Sequence, residues 1–454
     1  MQRSMQKRRQ SDEEAVKAVG LVLDFDEIAR KGSMSREEVL IAKWYGVYSS
    51  RQRGDHMMRV VIPGGDLAAA QARALGAVAN QYAGGCLAFT TRQSAQFHRV
   101  QLPDIPRVLR ALADVGLTTF HGCGDVTRNV AACPWASICP HGRFDVLPYA
   151  KQTAEFIAGC RDLDNLPRKF KITYSGCGAN CAQPYINCVG VTALVRRRAD
   201  GSEQKGFRVV IGGGMGWKGF VAKELYSFVP PEQIVRTCRA IAMLFRDHGD
   251  RFNRAKARLK FVVDRLGIEK CREIVNANLD AEGVDRTQFE VEPVTDCGER
   301  WPARPLSDPD PRASDGMAIA RIMVPKGELT GHALMQIAEL SERYGDKRVR
   351  STNRQDVEIQ GVHPRKLAEL KGNIEKLGFR ADGFFGLADI VPCVGTTYCP
   401  LAVTETRAMY DLLQSVVHQP KYAPIRDKVI INITGCPNSC SPYRIADIGL
   451  RGLH

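Results

Sequence analysis

Hydrophobic patterns in the first quarter of the chain predict a strand, a helix, a second strand and a second helix. Apolar residues over Arg59–Ile62 predict the first strand, and Leu75, Val78 and Tyr82 have the spacing of a buried helical stripe. The pair Arg92–Gln93 is predicted to lie in the second strand, and PDIPRVLRALADVGL in the helix that follows. This order of elements is typical of a small α+β domain.

The same order of elements returns later in the chain. The segment MRVVIPGGDLAAAQARALGAVANQY, followed by TTRQ, is echoed by RIMVPKGELTGHALMQIAELSERY, followed by TNRQ. Pro63 precedes Arg92 by 29 positions, and Pro325 precedes Arg354 by 29 positions. A strand is therefore predicted over Arg321–Val324, and HPRKLAELKGNIEKLGF is predicted as the last helix. We expect the two copies to pack as pseudo-twofold mates.

Cysteine pairs repeat with the copies. Each copy has a C-x5-C pair followed by a C-x3-C pair. The first quartet is Cys133, Cys139, Cys177 and Cys181, and the second quartet is Cys393, Cys399, Cys436 and Cys440. Four thiolates in two such pairs can converge on one metal centre, and structural zinc sites favour shorter spacings than C-x5-C. An iron–sulfur cluster is the stronger prediction for the second quartet, with zinc or inert core cysteines as alternatives.

Composition narrows the class of protein. Lys and Arg number 64 against 50 Asp and Glu, a net charge of +14, which favours anionic ligands or an acidic partner. We find no nucleic-acid motif, no apolar run long enough to cross a bilayer, and no apolar core in the first residues that would act as an export signal. These features predict a cytoplasmic globular protein whose 15 cysteines do not form structural disulfides, so metal or cluster ligation is the first role to test. The seven cysteines without a partner at matched spacing are expected to be buried hydrophobic residues.

The second quartet carries a family resemblance. The segments CVGTTYCPLAVTETR and TGCPNSCSPYRIADIGL resemble the cluster-binding segments of the siroheme-dependent sulfite and nitrite reductases. The resemblance implies that Cys393, Cys399, Cys436 and Cys440 hold a 4Fe-4S cluster. It also implies that Cys440 bridges the cluster to the siroheme iron.

Three segments of the first copy add to the resemblance. TTRQSAQFH, DVTRNVAAC and NLPRKFKIT resemble the substrate-binding segments of the same family. The residues implied to surround the bound oxyanion and to act in catalysis are Arg92, Arg128, Lys169 and Lys171. The residues implied to contact siroheme are Arg92, Gln96, His98, Arg128, Asn438 and Cys440. Fixed cations suit this role, because both the anion and the carboxylate-rich siroheme would be repelled by a site without them.

The resemblance implies an enzyme that reduces sulfite to sulfide or nitrite to ammonia with six electrons from a ferredoxin-like donor. Sequence leaves the choice of anion open. Two other functions remain: an enzyme like oxygen-dependent precorrin-3B synthase, which has a cluster but acts on a tetrapyrrole, and a noncatalytic iron–sulfur electron-transfer subunit. The first quartet departs from the pattern of the assimilatory enzymes, and it either binds a second cluster or packs as a relic in the core.

The implied fold class is α+β, with two pseudo-twofold copies of a ferredoxin-like half-domain followed by a siroheme/4Fe-4S domain. The second copy is expected to be incomplete, because His454 corresponds to about position 195 of the first copy. The expected segments are an N-terminal extension at 1–55, the first copy at 56–130 and 131–297, a proline-rich linker at 298–315, and the second copy at 316–388 and 389–454.

Overall fold

The computed structural model describes residues 12–297 and 311–453. Most of the expected linker, residues 298–310, lies outside the described residues, as do the basic residues of 1–11. The strands are β1 Val47–Ser49, β2 Asp55–Val60, β3 Asp66–Ala68, β4 Cys86–Phe89, β5 Ala95–Gln101, β6 Ala131–Ala132, β7 Ile172–Ser175, β8 Val189–Arg197, β9 Glu203–Ile211, β10 Lys223–Val229, β11 Ala318–Ile322, β12 Glu328–Thr330, β13 Arg348–Ser351, β14 Val357–Val362, β15 Val391–Pro392, β16 Ile431–Thr434 and β17 Ile448–Arg451.

Helices connect these strands, and none in the described part of the chain is long and apolar enough to cross a membrane. They are α1 Phe25–Lys31, α2 Arg36–Ala42, α3 Ala69–Tyr82, α4 Ile105–Ala113, α5 Leu147–Gly159, α6 Ile234–His248, α7 Leu259–Leu266, α8 Ile268–Ala281, α9 Gly331–Tyr344, α10 Leu367–Lys376, α11 Gly395–Tyr398 and α12 Thr406–Val417. The two helices predicted from PDIPRVLRALADVGL and HPRKLAELKGNIEKLGF are α4 and α10, so these predictions are confirmed.

The chain forms two compact units. Unit 1 contains the described parts of residues 1–48, 119–214 and 220–303, and unit 2 contains those of 49–118, 215–219 and 304–454. Each unit holds one cysteine quartet. The expected half-domain segments lie within unit 2, except for residues 119–130 of the first one, which belong to unit 1.

Within unit 2, the two half-domain copies exchange short strands. Strands β2, β5 and β4 of the first copy are followed in the sheet by β12 of the second copy, and β11, β14 and β13 of the second copy are followed by β3 of the first. Both exchanged pairs are antiparallel. Asp66 in β3 forms ion pairs with Arg348 and Arg350 in β13. The exchange joins the copies through backbone ladders as well as through side chains.

Helices α3 and α9 of the two copies cross at a pair of glycines. A Cβ atom on Gly76 would lie 2.5 Å from the Gly331 carbonyl oxygen, and a Cβ on Gly331 would come still closer to the Gly76 oxygen. Only glycine allows backbones to approach this closely. The copies therefore pack on each other as predicted, through this crossing and through the exchanged strands.

The structure corrects the positions of the predicted strands. The first strand of the first copy, β2, ends before the predicted Ile62, and that of the second copy, β11, ends before the predicted Val324. In both copies a 3₁₀ turn begins at the proline that follows. The pair Arg92–Gln93 does not lie in a strand. It forms the turn between β4 and β5, where Gln93 has a φ of 61°, a left-handed conformation that a strand cannot contain.

Unit 1 is built on one mixed sheet with the strand order β10-β9-β8-β7-β6. Strands β6, β7 and β8 are parallel, whereas β8, β9 and β10 are antiparallel. The core contains fully buried aromatic side chains, such as Tyr174 and Phe207, whose rings meet edge to face at 5.9 Å.

A smaller sheet in unit 2 repeats part of this arrangement. Strands β15, β16 and β17 are parallel and correspond to β6, β7 and β8 of the first copy. Their core is formed by Leu387, Ile390, Tyr410, Val417, Ile431 and Ile433.

Candidate functional site

The second quartet lies at the carboxyl ends of two paired parallel strands. Cys393 directly follows β15, and Cys436 lies two residues after the end of β16. Cys399 directly follows the short helix α11, and Cys440 lies on the loop after Cys436. Loops that leave the same edge of a parallel sheet can direct several ligands towards one point.

Backbone amides contact the first two cysteines of this quartet. The N–H groups of Gly395 and Gly435 donate to the Cys393 sulfur at 3.4 and 3.1 Å. The Leu401 N–H donates to the Cys399 sulfur, and the Ala402 N–H donates to the Cys399 carbonyl oxygen at 3.3 Å. Such bonds stabilise the thiolate form that iron requires.

The four thiols of the second quartet differ in exposure. Cys436 is buried, Cys393 and Cys399 are half-buried, and Cys440 is exposed. Burial, followed by the neighbouring Cys440 thiol, raises the pKa of Cys393. Burial likewise raises the pKa of Cys399, with smaller contributions from Cys440 and Cys436. The thiols are thus close enough to influence each other's ionisation. Asn438, on the same loop, is exposed.

The turn that carries Arg92 touches the second quartet within unit 2. The Thr91 hydroxyl donates to the Cys440 carbonyl oxygen at 2.9 Å. The Gln93 amide fixes the other side of the turn by donating to the carbonyl oxygens of Gly64 and Ser351. These contacts fix the turn, so the backbone of Arg92 lies close to the backbone of the exposed Cys440.

Gln96 and His98 lie on β5, in the same unit. The Gln96 side-chain oxygen accepts from Arg59, its cross-strand neighbour on β2. The His98 ring is buried and stacks at 4.0 Å on the ring of Tyr398, the residue that precedes Cys399. Burial, and then the charges of Arg59, Arg407 and Arg99, lower the pKa of His98 to about 3. Its ring is therefore neutral near pH 7.

Arg128, Lys169 and Lys171 lie together in unit 1. Thr127 and Phe170 pair as a parallel bridge, which makes Arg128 and Lys171 neighbours in register. The Arg128 guanidinium also donates to the carbonyl oxygens of its own loop, those of Gly122 and Gly124. Lys169 and Lys171 are both half-buried.

A buried carboxylate anchors the loop that carries Arg128. Asp125 forms ion pairs with Arg168 and Arg254 at 3.0 Å and with Lys17 at 3.4 Å. Burial alone would raise the pKa of Asp125, but Arg254, Arg168 and Lys17 lower it below its usual range. Sequence reasoning missed this cluster, because its members are far apart in the chain and match no motif.

Sequence reasoning also missed two residues of unit 2 beside the second quartet. Arg51 donates to the carbonyl oxygens of Cys399 and Ala402 at 3.4 Å, and Gln52 donates to that of Thr397 at 2.7 Å. The basic segment RQR was the one available signal, and it does not distinguish a structural contact from a solvated turn.

The first quartet converges in unit 1. The Cys133 thiol is hydrogen-bonded to that of Cys181, and the Cys139 thiol to that of Cys177. All four are free thiols. The Cys177 thiol, together with the N–H groups of His141 and Gly142, lowers the pKa of Cys139 to about 7.

Family models match both parts of the repeat. The model described as "Nitrite and sulphite reductase 4Fe-4S domain" matches residues 123–282, and the "Nitrite/Sulfite reductase ferredoxin-like half domain" matches 49–115 and 311–377. The chain is 32% identical over 423 residues to the chloroplastic ferredoxin–nitrite reductase of Arabidopsis thaliana, covering 90% of this chain and 70% of that protein. The chain belongs to the nitrite and sulfite reductase family.

Relatives in this family include both kinds of reductase. The assimilatory ferredoxin-dependent nitrite reductase of Haloferax mediterranei is 33% identical, covering 90% of this chain and 73% of that protein, and a ferredoxin sulfite reductase of Mycobacterium tuberculosis is 29% identical, covering 90% and 75%. The solved structure of M. tuberculosis NirA protein superposes with a TM-score of 0.85 at 28% identity, over 97% of this chain and 83% of that one. The α+β class with two ferredoxin-like half-domain copies is confirmed.

Siroheme and a 4Fe-4S cluster are the cofactors of this reductase chain. Within residues 12–297 and 311–453, no group of three or more His, Cys, Asp or Glu is arranged to hold a single metal ion. A cubane does not need such a group, because each thiolate binds a different iron and the sulfurs stand farther apart. Four cysteines, two of which accept N–H hydrogen bonds at sulfur, are a donor set that fits a cluster.

The structure also offers polar atoms for the siroheme. Both ring nitrogens of His98 are buried and have no hydrogen-bond partner within the described residues. Buried polar atoms without a partner cost free energy, so a ligand that supplies one is favoured there. This fits the expectation that His98 contacts a carboxylate-bearing macrocycle.

Proposed function

We propose that this protein reduces nitrite or sulfite by six electrons at a siroheme that adjoins a 4Fe-4S cluster held by the second quartet. The observation that carries the proposal is the contact between Thr91, beside Arg92, and the Cys440 backbone. It brings an implied anion-binding segment to the implied bridging cysteine. Because the Cys440 thiol is exposed, it is available to a second cofactor.

The siroheme iron supplies the position at which the anion binds, and the cluster supplies electrons one at a time. The protein's own residues hold the anion and deliver protons. At an effective dielectric constant of about 20, a cation about 4 Å from an anionic oxygen contributes roughly 4 kcal/mol before desolvation. Arg92 and Arg128 are suited to holding the anion, since their guanidinium groups stay charged.

Lys169 and Lys171 are suited to proton delivery. An ammonium group can lose its proton at an accessible pH once burial and neighbouring cations lower its pKa, whereas a guanidinium cannot. Each oxygen that leaves the anion must depart as water and needs two protons. The register of the Thr127–Phe170 bridge, which makes Lys171 the neighbour of Arg128, supports this role.

The second copy is not equivalent in these positions. By the offset between the half-domain copies (Pro63 to Pro325), the counterpart of Arg92 is Arg354. By the offsets of the cysteine motifs, the counterparts of Arg128, Lys169 and Lys171 are Ala388, Lys428 and Ile430. Arg354 is buried and pairs with Asp389. In our proposal, segments 56–130 and 131–297 supply the cations, and segments 316–388 and 389–454 supply the cluster that serves the reaction.

A ferredoxin-type protein is the proposed electron donor, and the cytoplasm the proposed compartment. The relatives in A. thaliana and H. mediterranei are named as ferredoxin-dependent enzymes. The net charge of +14 supports docking of an acidic donor.

The test uses anaerobically prepared protein with siroheme and cluster, reduced methyl viologen, and nitrite and sulfite in separate assays. Formation of ammonia or sulfide at many turnovers per site is expected, with Cys440→Ser inactive. Siroheme-loaded protein that reduces neither anion would favour the electron-transfer subunit. Protein that lacks the intense siroheme absorption band and consumes a tetrapyrrole would favour the precorrin-3B synthase-like enzyme.

A further inference from the structure

The first quartet occupies the same place in its sheet as the second quartet does in its own. Cys133 directly follows β6, and Cys177 lies two residues after the end of β7. The parallel pairing of β6 with β7 matches that of β15 with β16. Each C-x5-C loop and each C-x3-C loop therefore leaves the carboxyl end of an equivalent strand.

Backbone hydrogen bonds hold the two quartets in the same way. Three bonds of the first copy recur at equivalent residues of the second, and their lengths agree within 0.2 Å. They are Cys133 to the Tyr174 carbonyl (2.9 Å) and Cys393 to Ile433 (2.9 Å), Cys139 to Trp135 (2.9 Å) and Cys399 to Gly395 (3.1 Å), and Arg143 to Gly176 (2.8 Å) and Val403 to Gly435 (2.8 Å). The residue before the last cysteine is also left-handed in both, with φ of 56° at Asn180 and 53° at Ser439.

The amides that face the sulfur atoms recur as well. In both copies, the sulfur of the first cysteine accepts from the N–H group two residues later, that of Trp135 in the first copy and that of Gly395 in the second. The N–H group three residues after the second cysteine donates to that cysteine's carbonyl oxygen in both copies, at 2.9 Å from Gly142 and 3.3 Å from Ala402. Ala179 adds an N–H donor to Cys177. Amides that donate to sulfur favour the thiolate form that a cluster requires.

Other cysteines of unit 1 show the contrast. Cys238 and Cys271 are buried in helices α6 and α8, and burial raises the pKa of each, to about 12 and about 11. Neither is near a second cysteine with matched spacing. The first quartet differs from them in that its thiols are hydrogen-bonded in two pairs, Cys133 with Cys181 and Cys139 with Cys177.

From this geometry we infer that Cys133, Cys139, Cys177 and Cys181 hold a second 4Fe-4S cluster, so that the protein carries one cluster in each copy of its repeat. The C-x5-C loop and its amide donors match those of the second quartet, and the spacing is unfavourable for structural zinc. The inference is independent of which anion the enzyme reduces.

The decisive measurement is the amount of iron, zinc and acid-labile sulfide per chain in anaerobically prepared protein. Two cubanes give about eight sulfides, and one gives about four. We expect about eight in the wild type and about four in both Cys177→Ser/Cys181→Ser and Cys436→Ser. Cys160→Ser, which removes a lone half-buried thiol of unit 1, is the matched control and should keep about eight.

The Cys436→Ser variant decides the question if the first-quartet variant does not fold. About four sulfides, together with a reducible cluster signal in its electron paramagnetic resonance spectrum, would support the second cluster. About four sulfides in the wild type and none in Cys436→Ser would overturn it, and so would one zinc per chain without additional sulfide. Methyl viologen assays on the same samples report the proposed function separately, since a single-cluster enzyme can still reduce its anion.

Discussion

Lys171 is the residue whose proposed role is most open to a direct test. We expect Lys171→Ala to lower turnover of the reducible anion by about 100-fold or more, the usual contribution of a general acid, while the cluster spectrum stays unchanged. Lys171→Arg keeps the charge but not a transferable proton, so it should restore anion binding more than turnover.

The measurement is steady-state reduction driven by methyl viologen, with KM and kcat obtained separately. Lys223→Ala, at an exposed position on β10 of the same unit, is the matched control. Unchanged turnover in Lys171→Ala would remove this residue from the mechanism.

At the scale of residues, sequence identified the cysteine quartets but not the contacts around them. The cysteine quartets are visible because each pair is a local motif and the whole set repeats. The hydroxyl contact from Thr91 to Cys440 joins residues 349 positions apart, and the Asp125 cluster joins four residues that are distant in the sequence. Such contacts depend on tertiary packing, and no local pattern carries them.

At the scale of elements, the glycine crossing of α3 and α9 predicts a strong asymmetry between two glycine substitutions. Gly76→Ala places a methyl group 2.5 Å from the Gly331 oxygen and 2.7 Å from the Met335 side chain, so we expect a loss of about 1–3 kcal/mol in the free energy of unfolding. Gly372→Ala, in helix α10, meets no atom within 4 Å and should be neutral or stabilising by up to about 1 kcal/mol.

Urea unfolding of the two variants beside the wild type checks this prediction. Equal midpoints for Gly76→Ala and the wild type would mean that α3 and α9 can move apart without loss of stability, and would contradict this prediction.

The elements themselves were predictable only in part. Helix α3 follows from the apolar spacing of Leu75, Val78 and Tyr82, and the repeat indicated that two copies would pack together. Strand exchange was not predictable, because β3 and β12 have three residues each and alternation does not specify a partner. The turn at Arg92 was taken for a strand because Gln93 gives no sign of a left-handed conformation, which glycine or asparagine would have given.

At the scale of the whole molecule, the two copies have diverged in how they use the same arginine. Arg354 is buried against Asp389, so removing it leaves an unpaired buried carboxylate. We expect Arg354→Met to lower the free energy of unfolding by about 3–5 kcal/mol with little change in kcat of the folded fraction. Arg92→Met should lower kcat/KM for the anion by at least about tenfold, with a smaller loss of stability.

Unfolding and kinetic measurements on both variants provide the comparison. If Arg92→Met instead lost stability with little change in kcat, both arginines would have a structural role. The proposed role of Arg92 in holding the anion would then be wrong.

The net charge of +14 also leads to a prediction for the electron donor. If an acidic ferredoxin docks through charge complementarity, KM for the donor should rise several-fold as salt increases from low to physiological ionic strength, because screening weakens the attraction. Reduced methyl viologen is a small molecule that does not dock on a protein surface, so its rate reports the anion site without the donor. A salt dependence seen with ferredoxin but not with methyl viologen is therefore caused by docking of the donor. A salt dependence of the same size with both donors is caused by binding of nitrite or sulfite to the fixed cations, and would contradict electrostatic docking.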